Sequence, residues 1–223
     1  MNYICVFDVN ETLLDLSAMD PGFQDVFGDA SVRQAWFQQM LQLAMVTIIT
    51  DSYRDFGTIG QAALKMVAAR RGVELSGDRL RSVLSLIREL PPHRDVPGAL
   101  RRLAAAGVRL AALTNSTQQV AEAQLTNAGL GPLFEQILSA DTVRRLKPAR
   151  EPYLMAAQRL GVEPAQVLLV AAHAWDVAGA MHAGCAAAFV ARPGMVLDQL
   201  APEPDVVAAD LEEVAGAVLK QAE

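Results

Sequence analysis

The sequence predicts an α/β protein: a doubly wound parallel sheet of Rossmann type with a helical domain inserted after the first strand. Three observations predict it. Short, fully apolar runs alternate with segments of helical period from residue 96 to residue 221, the pattern of a parallel sheet whose strands are buried on both faces. One such run, Tyr3–Phe7, stands apart at the N-terminus. Between them, residues 15–90 hold helical periodicity without a convincing strand. The implied division is a core of residues 1–14 and 91–223 and a helical cap of residues 15–90.

Taken in order, Tyr3–Phe7 reads as a buried strand that delivers Asp8 into a polar turn ending at Thr12. The carboxyl edge of an open α/β sheet is where ligands bind, so an acid there is placed for chemistry rather than packing. In the cap, Ser31–Thr50 reads as a long helix, with Trp36, Met40 and Met45 assigned to its inner face. Phe56–Arg71 forms a second helix closed by Gly72, and Gly77–Glu89 a third ended by Pro91-Pro92. The core resumes with a helix over Val96–Ala106 and a strand over Val108–Leu113 that ends in Thr114-Asn115-Ser116. A helix (Gln118–Ala128), a short strand (Gln136–Ser139), Lys147-Pro148 and a helix (Pro152–Leu160) follow. Val167–Ala172 reads as a strand, Val177–Ala183 as a helix, Ala186–Ala191 as the last strand and Leu211–Gln221 as the final helix. The informative strand ends are therefore Asp8, Thr114-Asn115 and Asp176.

Composition narrows the function classes. Of 223 residues, 52% are hydrophobic and 20% charged, which suits a globular chain with a sizeable core. A net charge of −6 without a basic stripe argues against nucleic acid or an anionic membrane as the main partner. Cys5 and Cys185 lack metal-ligand spacing and read as reduced core thiols, which points to the cytoplasm. The N-terminus lacks the pattern of a cleaved signal, and no run approaches membrane-spanning length. His93 and His182 read as surface or satisfied core residues.

An acid after the first strand, a hydroxyl and an amide after the second, a lysine before a helix and an acid after a later strand form an ordered set. Through FDVNETLLD, LTNS, LKPAREPY and VAAHAWD, in that order, the chain resembles the haloacid dehalogenase superfamily. With the cap included it resembles the type II, L-2-haloacid dehalogenase branch, where KPxxxxY is followed by AWD. That resemblance implies attack by Asp8 on the carbon bearing the halogen, expulsion of halide, and hydrolysis of the aspartyl ester by water. It implies that Lys147 holds the Asp8 carboxylate, while Asp176 orients Lys147 and helps activate the water. Thr12 and Thr114 are expected to bind the substrate carboxylate, and Tyr153 to hydrogen-bond near Asp8. Asn115 and the indole N–H of Trp175 are expected to face the halide. The partners implied are a short 2-halo carboxylate and halide, with no metal or cofactor, and a homodimer formed through the cap helices.

The chemistry separates this branch from the phosphatases of the superfamily. Expelling an alkoxide needs a general acid, and related phosphatases keep an aspartate two residues after the nucleophile, where this chain has Asn10. They also hold Mg²⁺ with an acid at the fourth motif, where this chain has Ala172. Halide needs neither proton nor metal to leave. The chain also departs from the dehalogenases: Phe37 follows Trp36 where they carry an arginine, and Gln38, Gln39 and Arg33 are out of register with it. Asn10-Glu11 stands where an aromatic and a glycine are usual, and Ala171 and His173 where serine and asparagine are usual. Asn10, Glu11, Phe37 and His173 therefore enter the candidate substrate-binding set with Thr114, Asn115, Tyr153 and Trp175. A Mg²⁺-dependent phosphatase and a cap-and-core protein that binds a small carboxylate without turnover remain the alternatives.

Overall fold

The computed structural model describes residues 3–222. Six parallel strands form one sheet in the order β3-β2-β1-β4-β5-β6. They are β1 (Ile4–Phe7), β2 (Leu110–Thr114), β3 (Gln136–Ser139), β4 (Val167–Ala171), β5 (Ala186–Val190) and β6 (Val206–Ala208). β1 is central because all four of its residues are apolar and buried, leaving no polar face for an edge. It pairs with β2 through Cys5↔Leu110 and with β4 through Cys5↔Leu168. The chain runs from β1 to one side of the sheet and returns to the other side at β4. A crevice therefore opens at the carboxyl end of β1.

Four helices lie between β1 and the next core element: α1 (Asp20–Phe27), α2 (Val32–Ile49), α3 (Phe56–Arg70) and α4 (Gly77–Ser85). Asp55 caps α3 by accepting from the Thr58 amide at 2.9 Å, and Ser76 caps α4. The Trp36 indole donates to the Gly60 carbonyl at 2.9 Å, joining α2 to α3. A Cβ on Gly60 would lie 3.2 Å from the Met40 methyl, so the glycine permits this close approach. The chain leaves the core at Leu14–Asp15 and returns at Pro91–Pro92, where the two connections are tied. Leu14 bridges Pro92, and the Asp15 amide donates to the Pro91 carbonyl at 2.8 Å.

The core helices are α5 (Val96–Ala105), α6 (Gln118–Asn127), α7 (Arg150–Leu160), α8 (Ala174–His182) and α9 (Leu211–Ala222). Hydrophobic clusters on the two faces of the sheet form the core, and one of them continues into the helical insertion through Phe23, Trp36 and Leu64. Among the described residues no helix is long and apolar enough to cross a membrane.

Several elements differ from the sequence reading. α1, inside the helical stretch but not delimited by periodicity, carries Pro21 in its first turn, where the missing N–H costs nothing. β6 is three residues long with Val207 exposed, too short and too open for an apolar run to mark it. The third cap helix tightens to a 3₁₀ turn over Leu86–Glu89. α8 begins at Ala174 rather than Val177, so Asp176 lies in the first turn of a helix and not at a strand end. A carboxylate there gains from the helix dipole.

Candidate active site

The site begins with how β1 ends. Asp8 donates its amide to the Val170 carbonyl at 3.0 Å, which carries the strand register one residue further and points the acid out of the sheet edge. The chain then turns back, with the Leu13 and Leu14 amides both on the Val9 carbonyl. Glu11 takes a left-handed conformation (φ 63°) in this turn, unusual for a residue with a side chain. The turn brings the Thr12 hydroxyl within 2.7 Å of Asp8 Oδ2, to which it donates, while it accepts from the Ala172 amide at 2.9 Å.

Lys147 supplies the counter-charge from the loop before α7. Its ammonium donates to Asp8 Oδ1 (2.8 Å), Asp176 Oδ2 (2.5 Å) and the Leu113 carbonyl (2.9 Å), so all three of its N–H bonds are used. Asp176 Oδ1 accepts from the Tyr153 hydroxyl at 2.6 Å. Burial alone would lower the Lys147 pKa, but Asp176 and Asp8 outweigh it and hold the ammonium charged. Burial would raise the Asp8 pKa; Lys147 and His173 overcome it and hold the carboxyl well below its usual range. Burial, helped by the Asp8 charge, pushes the Asp176 pKa up against the pull of Lys147.

His173, just before α8, faces Asp8 from the other side. Its Nε2 bonds Glu11 Oε2 at 2.9 Å. Its Nδ1 lies 3.4 Å from Asp8 Oδ2, too long for a well-formed hydrogen bond, and has no other partner. Burial opposes the charged ring, but Asp8 and Glu11 together push its pKa up to about 9. The ring stacks on Trp175 (centroids 5.1 Å apart) and lies 5.9 Å from that of Phe37. The buried Trp175 indole nitrogen is also unpartnered.

Asp8, Thr12, Lys147, Asp176, Tyr153, His173, Glu11, Phe37 and Trp175 are thus brought into one connected cluster. Several contacts differ from those expected. Thr12 spends its hydroxyl on Asp8 and a backbone amide. Tyr153 reaches Asp176 rather than Asp8. Both Asp176 oxygens are engaged. Asn115 clamps the backbone of Lys147, accepting from its amide at 2.7 Å and donating to its carbonyl at 3.2 Å. The buried Thr114 hydroxyl accepts from the Ser116 amide at 3.2 Å. Asn10 turns toward α6, where Gln124 donates to it at 2.8 Å and Ser116 lies 3.4 Å away.

Other residues were not found from the sequence. Arg192 donates twice to the Thr12 carbonyl (2.9 and 3.2 Å) and to Asp95 at 2.8 Å, bracing the turn from behind. Its position just after β5 was the available signal. His93, read as a surface or core residue, meets the Glu11 carbonyl at 3.2 Å. A Cβ on Gly179 would lie 2.6 Å from Pro148 Cβ and 2.7 Å from the Tyr153 hydroxyl oxygen, so this glycine lets α8 reach the lysine loop. A cavity of about 350 Å³ lies beside the cluster, between Trp36, Met40, Phe56, Leu80, Ile87 and Ser116; Asp8 does not line it.

The arrangement does not fit a hard divalent cation. The Lys147 ammonium occupies the space between the two carboxylates that would bind one, and among the described residues no three His, Cys, Asp or Glu side chains converge as ligands. Nor do the cysteines offer a nucleophile. Burial pushes Cys5 up to about 12 and Cys185 up to about 11, so both stay protonated.

Fold and site together define a capped α/β protein with a carboxylate–ammonium–carboxylate centre at the topological switch point. The family of haloacid dehalogenase-like hydrolases matches residues 4–184, and the chain belongs to that family. The (S)-2-haloacid dehalogenase of Pseudomonas sp. (strain YL) is 29% identical over 209 residues, covering 92% of this chain and 90% of that protein. The (S)-2-haloacid dehalogenase 1 of Pseudomonas sp. (strain CBS-3) is 31% identical over 178 residues, 79% of this chain and 78% of that one. Among solved structures, an L-2-haloacid dehalogenase from Xanthobacter autotrophicus superposes with a TM-score of 0.93 at 27% identity, covering 98% of this chain and 99% of that chain. The same enzyme with chloropropionic acid covalently bound gives 0.92 at 26% identity, with the same coverage.

Proposed function

We propose that this chain is a metal-independent (S)-2-haloacid dehalogenase that hydrolyses the carbon–halogen bond of a short 2-halo carboxylate through an ester on Asp8. The observation that carries the reading is the bonding of Lys147, which keeps Asp8 ionised as a nucleophile and engages the nearby carboxylate of Asp176, while Ala172 offers no further acid for a metal. The commitment of Asn10 to Gln124 and Ser116 further opposes phosphatase chemistry. The names of the relatives supply the substrate class.

In the first step an Asp8 oxygen attacks the carbon bearing the halogen, and the halide leaves with the bonding electron pair. Oδ1, with Lys147 at 2.8 Å, is suited to remain as the ester carbonyl, polarised by the ammonium. The Trp175 N–H, buried and unpartnered, is a donor for the halide. Forming the ester removes the Asp8 charge, one of the two carboxylates that keep the proton on His173. His173 gives up that proton, which balances the departing halide. Its Nε2–H stays on Glu11, and Nδ1 becomes the base that faces the ester. Water loses a proton to Nδ1 as its oxygen adds to the carboxyl carbon. The bond from that carbon to the substrate oxygen then breaks, the 2-hydroxy acid leaves with the proton returned from His173, and the Asp8 carboxyl passes the water's second proton to Nδ1, restoring the carboxylate and the imidazolium. Asp176 serves to hold Lys147, since both its oxygens are engaged.

A homodimer and a cytoplasmic location belong to the same reading. Val46, Ile49 and Met66 expose apolar side chains on α2 and α3, and sedimentation of Ile49→Glu against wild type tests the dimer. Two free, buried cysteines suit a reducing compartment.

Halide release from 2-chloropropionate, followed by a single turnover in ¹⁸O water, tests the mechanism. The first label is expected in Asp8, with unlabelled oxygen in the product, and Asp8→Asn is expected to be inactive yet folded. Label going directly into product would mean that water attacks the substrate.

A further inference from the structure

The charged side chains of the site do not stop at His173. Outward from Lys147 the signs alternate through Asp8, His173, Glu11, Arg33 and Asp20. The last two belong to the helical insertion: Asp20 opens α1 and Arg33 lies in the first turn of α2. Arg33 is 7% exposed, with its Nε donating to Asp20 Oδ1 at 2.5 Å. Its Nη1 lies 3.5 Å from Glu11 Oε1, while the other oxygen of Glu11, Oε2, is the one on His173. Among the described residues this is the one ion pair between the insertion and the turn that carries Asp8.

Geometry gives the pair a task. Glu11 stands in a left-handed conformation that is sterically unfavourable for a non-glycine residue, and its side chain is 17% exposed. Held at one oxygen only, it would be free to swing toward water. Held at both, it keeps Oε2 aimed at His173 and so keeps the imidazole proton on Nε2. Asp8, which forms the ester, and Lys147 and Thr12, which hold its carboxylate, make no hydrogen bond or ion pair with Arg33, whose side-chain partners among the described residues are Glu11 and Asp20.

We propose that Arg33 is a positioning residue for ester cleavage: by holding Glu11 Oε1 it fixes Oε2 on His173, so the water-activating base is assembled only when α2 is seated over the core. The inference rests on the dehalogenase reading and its His173 base. It makes the insertion a contributor to the second chemical step and not only a cover.

Rapid-quench kinetics with 2-bromopropionate on the full chain test this, comparing wild type, Arg33→Met, Arg33→Lys and Glu11→Gln. In Arg33→Met the bromide burst is expected to stay within about twofold of wild type, while steady-state turnover falls roughly tenfold or more. The alkylated enzyme should then accumulate and appear in intact-mass spectra. Arg33→Lys, which keeps the charge, should recover part of the turnover, and it carries the test should the methionine variant fail to fold. Unchanged turnover without ester accumulation, or a burst and turnover that fall together, overturns the assignment. If Glu11→Gln accumulates ester and the Arg33 variants do not, only Arg33 is misassigned. If Glu11→Gln does not accumulate it either, the His173 base is wrong, and absence of bromide release from wild type would sink the dehalogenase reading itself.

Discussion

Replacing Lys147 by methionine tests the centre of the site most directly. The side chain keeps most of its length but loses its terminal ammonium and its charge, leaving Asp8 Oδ1, Asp176 Oδ2 and the Leu113 carbonyl without their shared donor. All three groups are buried, and removing one partner of a buried ionic cluster costs about 3–5 kcal/mol, because an uncompensated charge remains. With an unfolding entropy of about 2.1 cal/mol/K per residue, that loss lowers the Tm of this 223-residue chain by about 6–11 °C. The sign of the pH dependence follows from the acids left behind. Asp176, already pushed up by burial and by Asp8, no longer has Lys147 to oppose that push, so it takes a proton in the folded state. An acid whose folded pKa is raised loses stability as pH climbs above its unfolded value. The stability gap between wild type and Lys147→Met should therefore narrow from pH 7 to pH 5 in urea titrations. Adding Asp176→Asn to the variant should recover part of the loss, a non-additivity expected of partners in one network. A gap that stays constant with pH, or a loss below about 1 kcal/mol, would refute the reasoning.

Four further outcomes follow from the same geometry. The folded pKa of His173 is raised from 6.5 to about 9, so its stabilisation, roughly 3 kcal/mol at most, is complete below pH 6.5 and lost as pH rises through 9; parallel urea profiles for wild type and His173→Asn across pH 6–9.5 would contradict this. Gly179→Ala should cost about 1–3 kcal/mol and lower turnover, since the methyl meets Pro148 and Tyr153 below contact distance; an unchanged Tm would mean that α8 yields freely. Phe37→Arg puts a cation near the His173 imidazolium in a buried position, so the His173 titration seen by NMR should shift to lower pH, and an upward shift would show that the new side chain leaves the site. EDTA should leave halide release unchanged, and activity lost on chelation and restored by Mg²⁺ would return the phosphatase reading to the front.

The sequence by itself determined whatever repeats locally. Apolar runs buried on both faces marked four of the six strands, because a parallel strand inside such a sheet is apolar at nearly every position, and the edge strand β3 was legible only as a short strand with polar ends. The acid, hydroxyl and lysine of the site were legible because strand ends converge on one edge of such a sheet, whatever the details of packing. Elements whose stability comes from neighbours were not legible: β6 exists by pairing with β5, and α1 by packing Phe23 on Trp36.

Only the tertiary structure decided how the named residues are used. Asn115 has the same side chain whether it faces a halide or clamps a lysine backbone, and what commits it is the position of Lys147, 32 residues on. Gln124, Arg192 and Arg33 are ordinary residues in the sequence. They matter because packing brings them within hydrogen-bond or ion-pair reach of Asn10, Thr12 and Glu11. Hydrogen bonds weaken steeply beyond about 3.2 Å, so their partners are fixed by sub-ångström distances between elements remote in the chain. Local periodicity carries no information about such distances.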